Sequence, residues 1–148
     1  MRFLIFSFLL IQSVFSSALQ NRADAIIGRW MSEDNNLEVE VYRTGDEFAA
    51  KVTWFDDSDD KSSPMNERLD KENPDKALRS QKILGMNVLK GLFYNAKKDV
   101  WENGKIYDAT SGRTWNASVW LEEDGGLKVR GFWHFQFLGK SLYFKKVA

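Results

Sequence analysis

Hydrophobic and polar side chains alternate along most of this 148-residue chain in runs of strand length, and glycine, asparagine and aspartate separate the runs. Successive side chains of an extended chain point to opposite faces, so a period of two selects strands buried on one side only. Leu37, Val39 and Val41 share one face against Glu38, Glu40 and Tyr42. In the next run Phe48, Ala50, Val52 and Trp54 share a face against Ala49, Lys51 and Thr53, with Thr44-Gly45-Asp46 as the hairpin turn between them. The pattern returns over residues 88–94, 100–107, 113–121, 127–137 and 142–147, with Asn95 to Lys98, Ser111-Gly112, Asp124-Gly125-Gly126 and Leu138-Gly139-Lys140 as separators. Asn103-Gly104 is either a two-residue turn or a bulge in one longer strand, since both residues tolerate positive φ.

With a first short strand over residues 27–31, about eight strands are expected, most of them joined by tight turns. Short connections make sequence neighbours into sheet neighbours. An all-β domain follows, either a sandwich or an antiparallel up-and-down barrel, and the barrel is favoured because closure removes exposed edges. Trp30, Phe48, Trp54, Trp115, Trp133 and Phe135 fall on the face assigned to the interior, and Trp120 and Phe132 on the other. An eight-stranded barrel is either filled by such rings or holds one small ligand.

The opening Gly28-Arg29-Trp30 carries a G-x-W pattern that resembles lipocalins and their calycin relatives. A more extensive match runs through Asp70-Lys71-Glu72-Asn73-Pro74-Asp75, Leu78-Arg79, Leu84-Gly85, Trp101, Gly104-Lys105-Ile106-Tyr107-Asp108, Ser111-Gly112-Arg113-Thr114, Leu127-Lys128-Val129-Arg130-Gly131 and Leu138-Gly139-Lys140. This set resembles the bacterial family called domain of unknown function 2147, over essentially all of the chain after its apolar start. Ala109 and Trp115 depart from that family's usual proline and tyrosine. The resemblance implies a small exported β-barrel protein of bacterial envelopes, and no established activity.

The N-terminus supports export. Arg2 precedes an apolar run from Phe3 to Ile11, and small residues follow at Ser16, Ser17 and Ala18. The run is far shorter than the roughly 20 residues of a membrane span. Residues 1–18 therefore read as a signal peptide and 19–148 as a single domain, periplasmic or extracellular and without a transmembrane anchor. The chain has no cysteine, so neither a lipid-anchored thiol nor a disulfide is available, and the fold must stand on its core. Twenty-one basic against 21 acidic residues argue against nucleic acid as a partner, because such binding draws on phosphate neutralisation.

The alternation breaks over residues 56–82, a long charged loop between the third and fourth strands that holds both prolines. Its first half, Asp56-Asp57-Ser58-Asp59-Asp60-Lys61-Ser62-Ser63-Pro64, reads as a solvated, mobile tip; it lacks the glycine and distal glutamate of an EF-hand, and no metal is expected. In its second half, Pro74 pins Asn73 toward extended geometry and Asp75 is placed to cap a short turn through Lys76, Ala77 and Leu78. The loop is expected to fold back over one barrel mouth, with Asp70, Asn73, Asp75 and Arg79 in a polar cluster that Arg113 or Arg130 joins, either anchoring the loop or touching a ligand.

No catalytic residue can be named. His134, the single histidine, has no cysteine and no G-x-S-x-G serine to serve, and no carboxylate pair stands out. No cofactor is expected. The leading reading is non-enzymatic binding of a small apolar or amphipathic ligand at the barrel mouth. The alternative is an envelope module that uses outward aromatics on a protein or glycan while its core is filled. An interior cavity above about 300 Å³ would favour the first, and a solid core with an outer aromatic patch the second.

Overall fold

A computed structural model of the chain describes residues 17–132 and 139–147. Eight antiparallel strands in sequence order close into a barrel: β1 (Gly28–Ser32), β2 (Leu37–Thr44), β3 (Glu47–Phe55), β4 (Asn87–Asn95), β5 (Val100–Asp108), β6 (Arg113–Leu121), β7 (Leu127–Phe132) and β8 (Lys140–Lys146). Each strand pairs with the next, and β1 pairs with β8 through Trp30 opposite Lys146. Among the described residues no helix is long and apolar enough to cross a membrane.

The turns follow the local sequence. Thr44 lies opposite Glu47, leaving Gly45 and Asp46 as a two-residue hairpin loop. Asn103-Gly104 is a bulge: β5 runs through it, Asn103 takes φ 65°, and the register against β6 shifts between Trp101 and Gly104. Glycine is required at 104 by packing, since a Cβ there would stand 2.7 Å from Leu92 Cδ2.

A second bulge corrects the expected lining. The β2–β3 register slips between Glu38 and Val39, so that Val39 faces Val52 while Glu38 faces Trp54. The extra residue, Thr53, puts Trp54 out of phase with Phe48, Ala50 and Val52. Trp54 is 37% exposed and does not line the barrel, whereas Val52 is 3% exposed. Thr53 Oγ1 instead donates to Glu38 Oε1 at 2.7 Å, and Arg29 grips the same carboxylate through Nε and Nη2, both at 3.0 Å. These bonds, Arg29's before Thr53's, hold the Glu38 carboxyl below its ordinary range.

The core is concentrated where β1 begins and β8 ends. Residues 17–23 are helical, and a single 3-10 turn over Asp24–Ile26 leads into β1. Ile26, Trp30, Phe48, Leu92, Trp101 and Val119 are almost wholly buried there. Both indoles donate to this entering segment: Trp30 Nε1 to the Ile26 carbonyl at 2.8 Å, and Trp101 Nε1 to the Ala23 carbonyl at 3.0 Å. Ion pairs fasten its rim. Arg22 binds Asp99 with both Nε (2.9 Å) and Nη2 (2.6 Å), and Arg43 Nε binds Asp24 at 2.8 Å. Burying each large side chain is worth roughly 1.5–3 kcal/mol, and both indole N–H groups are bonded, so neither is a buried orphan donor. This end of the barrel is sealed.

Candidate functional site

At the opposite end, β3, β5 and β7 finish and β4, β6 and β8 begin. Strand alternation and register give the inward residues. A Cβ on Gly131 would lie 3.7 Å from both Ile106 Cγ2 and Trp115 Cβ, so these three positions are neighbours on the inner face of β5, β6 and β7. Val129 and Leu142 are direct cross-strand partners and share a face with Gly131 and Phe144. Burial falls off along this face toward the mouth. Val129 and Phe144 are buried, Ile106 and Trp115 are half-buried, and Leu142 is 37% exposed. Among the described residues, Ile106, Trp115 and Leu142 thus form a partly exposed apolar patch on the inward face, here termed the cup, above a filled lower barrel.

The charged loop stands beside this mouth. Its acidic tip is exposed, as its composition implies, but it is tied down by Arg68. That guanidinium donates to the Ser63 carbonyl (2.9 Å), the Asp60 carbonyl (3.1 Å) and Asp59 Oδ1 (2.9 Å), and lies 5.5 Å over the Phe55 ring. Among the described residues no group of three or more carboxylates or histidines converges as a metal cage. The second half closes on itself, with Asp70 N donating to the Gln81 carbonyl at 2.9 Å and Ile83 N to the Arg68 carbonyl at 3.0 Å. Asp75 caps the 3-10 turn Lys76–Leu78 by accepting from Ala77 N at 3.0 Å.

The expected polar cluster is divided. Asp70 is fully buried, and its carboxylate accepts from Asn73 Nδ2 at 2.7 Å and from the Tyr107 hydroxyl at 2.8 Å. Asn73 Oδ1 accepts from Asp75 N at 2.9 Å, and Arg79 Nε donates to the Asn73 carbonyl at 2.8 Å. Asp70, Asn73, Asp75 and Arg79 are thus one network, centred on Asn73 and not on an Arg–Asp pair. Arg130 is elsewhere, its Nη1 donating to Ser141 Oγ at 3.0 Å across β7 and β8. Arg113 opens β6 on the inward face, two residues from Trp115, and has no hydrogen-bond or ion-pair partner among the described residues. Neither arginine joins the loop in the bonds that define it.

Tyr107 is the anchor that residue patterns did not single out. Ile106 points inward, so Tyr107 points outward, and the loop clasps the outer edge of the mouth instead of lying across it. Burial, and next the bond to the Asp70 carboxylate, push the Tyr107 hydroxyl up to about 12. The same contact explains Gly112 in the β5–β6 turn: it takes φ 69°, and a Cβ there would overlap the Glu72 carbonyl.

Of the other expected lining residues, Trp30 and Phe48 belong to the sealed end and Trp115 to the cup. Trp133, Phe135 and His134 lie outside the described residues. Two open clefts lie on the outer surface, away from the cup. One of about 380 Å³ follows the β4–β5 hairpin along Phe93, Tyr94, Lys97 and Glu102; the other, about 370 Å³, runs past Glu33, Glu122, Asp124 and Tyr143. On the outer wall Trp120, Lys128 and Tyr143 stand in cross-strand register over β6, β7 and β8, with Lys128 Nζ 5.7 Å from the Trp120 ring centroid.

Similarity to solved structures bears on this geometry. The Helicobacter pylori protein HP1028, described as belonging to the lipocalin family, superposes with a TM-score of 0.70 at 21% identity over 83% of each chain. At that identity the likeness is one of fold: an up-and-down barrel of lipocalin type. An octameric penicillin-binding protein homologue from Pyrococcus abyssi also aligns, at 13% identity and a TM-score of 0.41, over 86% of this chain and 20% of that one. No curated protein matches the chain. A family model described as an uncharacterized protein conserved in bacteria, DUF2147, matches residues 28–146, from the first residue of β1 to the last of β8, and the chain belongs to that family.

Proposed function

We propose that the protein binds a small apolar or amphipathic molecule in the cup of Ile106, Trp115 and Leu142, without chemical conversion. The observation that carries this reading is the burial gradient: one end of the barrel is packed solid, while inward-turned apolar side chains at the other remain partly bare. An exposed leucine on the concave side of a β-barrel has a cost that an apolar ligand relieves, at about 25 cal/mol per Å² covered. The lipocalin-type fold supports the reading. The filled lower half limits it, since the ligand seats near the rim and does not descend to Trp30.

The neutral fluorophore N-phenyl-1-naphthylamine tests it. Its emission should rise on addition of the protein, and Leu142→Asn should weaken binding several-fold, while Leu78→Ser, on the exposed loop turn, should not. Equal binding by all three proteins would sink the reading. The Trp120, Lys128 and Tyr143 row favours a second reading, an outer platform for a protein or glycan partner. That reading is tested by whether Trp120→Ala with Tyr143→Ala abolishes retention on an envelope glycan column.

Export past the inner membrane belongs to the same proposal. Cleavage near Ala18 would leave the segment that carries Ala23 and Ile26, which packs under the barrel, inside the mature chain. The intact mass of the exported protein tests this, and a mass retaining residues 1–18 would contradict it.

A further inference from the structure

We infer that the ligand of the cup is an anionic amphiphile, whose apolar tail lies on Ile106, Trp115 and Leu142 and whose acidic head meets Arg113 and Lys140. The inference rests on the proposed function and adds the ligand's chemical class. Arg113 is the first residue of β6, two before Trp115 on the same inward face. Lys140 is the first residue of β8, two before Leu142, and lies opposite Gly131 on the face that looks toward Ile106 and Trp115. Each cation therefore stands one side-chain repeat, about 7 Å, above an exposed or half-exposed apolar member of the cup. The wall changes from apolar to cationic over that distance, matching a molecule with a tail and an acidic end.

Charge elsewhere sharpens the contrast. Arg22, Arg29, Arg43 and Arg68 each hold a carboxylate, Arg79 holds the Asn73 carbonyl and Arg130 holds Ser141. Arg113 is the one arginine among the described residues with no such partner, and Lys140 has none either. Asp108 is the cross-strand partner of Arg113 and shares its inward face, and Glu72 packs against the adjacent Gly112; neither carboxylate pairs with Arg113, and Asp108 is bonded within its own turn. Its Oδ1 accepts from Thr110 N at 2.9 Å and its Oδ2 from the Ser111 hydroxyl at 2.7 Å. Two cations at the rim of an apolar cup, against one carboxylate whose oxygens are bonded within its own turn, complement a carboxylate or phosphate head group; a planar guanidinium is suited to either.

Isothermal titration of the full mature protein with ten-carbon probes tests this: decanoate, decyl phosphate, decanol and decyltrimethylammonium, with acetate and inorganic phosphate as heads without tails. Both acidic amphiphiles should bind at least tenfold more tightly than decanol, the ammonium compound should bind most weakly, and the tail-less anions should not bind measurably. Arg113→Gln combined with Lys140→Gln should bring both acidic probes down to the affinity of decanol. If decanol binds as well as the acids, or the double variant leaves the acids unaffected, the inference falls and the proposed function stands. If no tailed probe binds, both fall. If phosphate alone binds as tightly as decyl phosphate, the rim is an anion site and the amphiphile is excluded. The comparison among probes on the unaltered protein decides the matter even if the double variant folds poorly.

Discussion

Tyr107 and Asp70 show how one contact positions a whole loop. Asp70 is a fully buried carboxylate held by neutral donors, so loss of the Tyr107 hydroxyl leaves it short of a partner. A hydrogen bond to a charged group contributes about 1.5–3 kcal/mol. Tyr107→Phe should therefore destabilise the protein by an amount in that range, measured by urea unfolding at neutral pH. Burial of the hydroxyl, and next the same bond, give a pH dependence with a definite sign. The hydroxyl is raised from its ordinary value of 10 to about 12 on folding, so its stabilising effect is complete below pH 10 and is lost as pH rises toward 12. Absorbance at 295 nm should show a tyrosine that ionises late in the native protein, and Tyr107→Phe should remove that phase. Glycine 104 gives a steric counterpart. Gly104→Ala drives a methyl toward the buried Leu92, and overpacking of this kind costs about 1–3 kcal/mol. Asp70 and Asn73 were legible as a motif of the loop. Tyr107 was part of the run Gly104 to Asp108, but its tie to Asp70 was not legible, because it lies 37 residues away on a strand whose period announces only that it faces outward.

Among the elements, the strands are those that alternation announces, because the period of two records burial on one face directly. What alternation misses is a change of phase. A single extra residue at Thr53 turns Trp54 outward while leaving the sequence pattern intact, and nothing local distinguishes that bulge from a regular strand. The segment before β1 was also hidden. It has no strand period, yet its Ala23 and Ile26 carbonyls accept the N–H groups of the two most buried indoles among the described residues. Removing it exposes apolar surface and orphans both donors, each worth about 1–3 kcal/mol. A chain of residues 28–148 should therefore melt on the order of 10 °C or more below one of residues 19–148 when followed by circular dichroism. Equal melting temperatures would show that the segment is not a structural plug.

At the scale of the molecule, closure and asymmetry are separate properties. Closure is one of two outcomes open to eight consecutive antiparallel strands joined mostly by short connections, and the sequence favours it over a sandwich only because it removes exposed edges. The asymmetry between a sealed end and an open cup does not follow from any one strand, because every strand carries apolar residues along its inner face. It arises from where the entering segment packs, against a core that includes Leu92 and Trp101. The cup is what remains bare, and binding there is the central claim. Methyl-resolved NMR during titration with decanol tests it most directly. The account predicts shifts at the Ile106, Leu142 and Val129 methyls, with Ile26 and Leu92 unmoved. Saturable binding that shifts none of the cup methyls, or shifts confined to residues of the outer clefts, would contradict it.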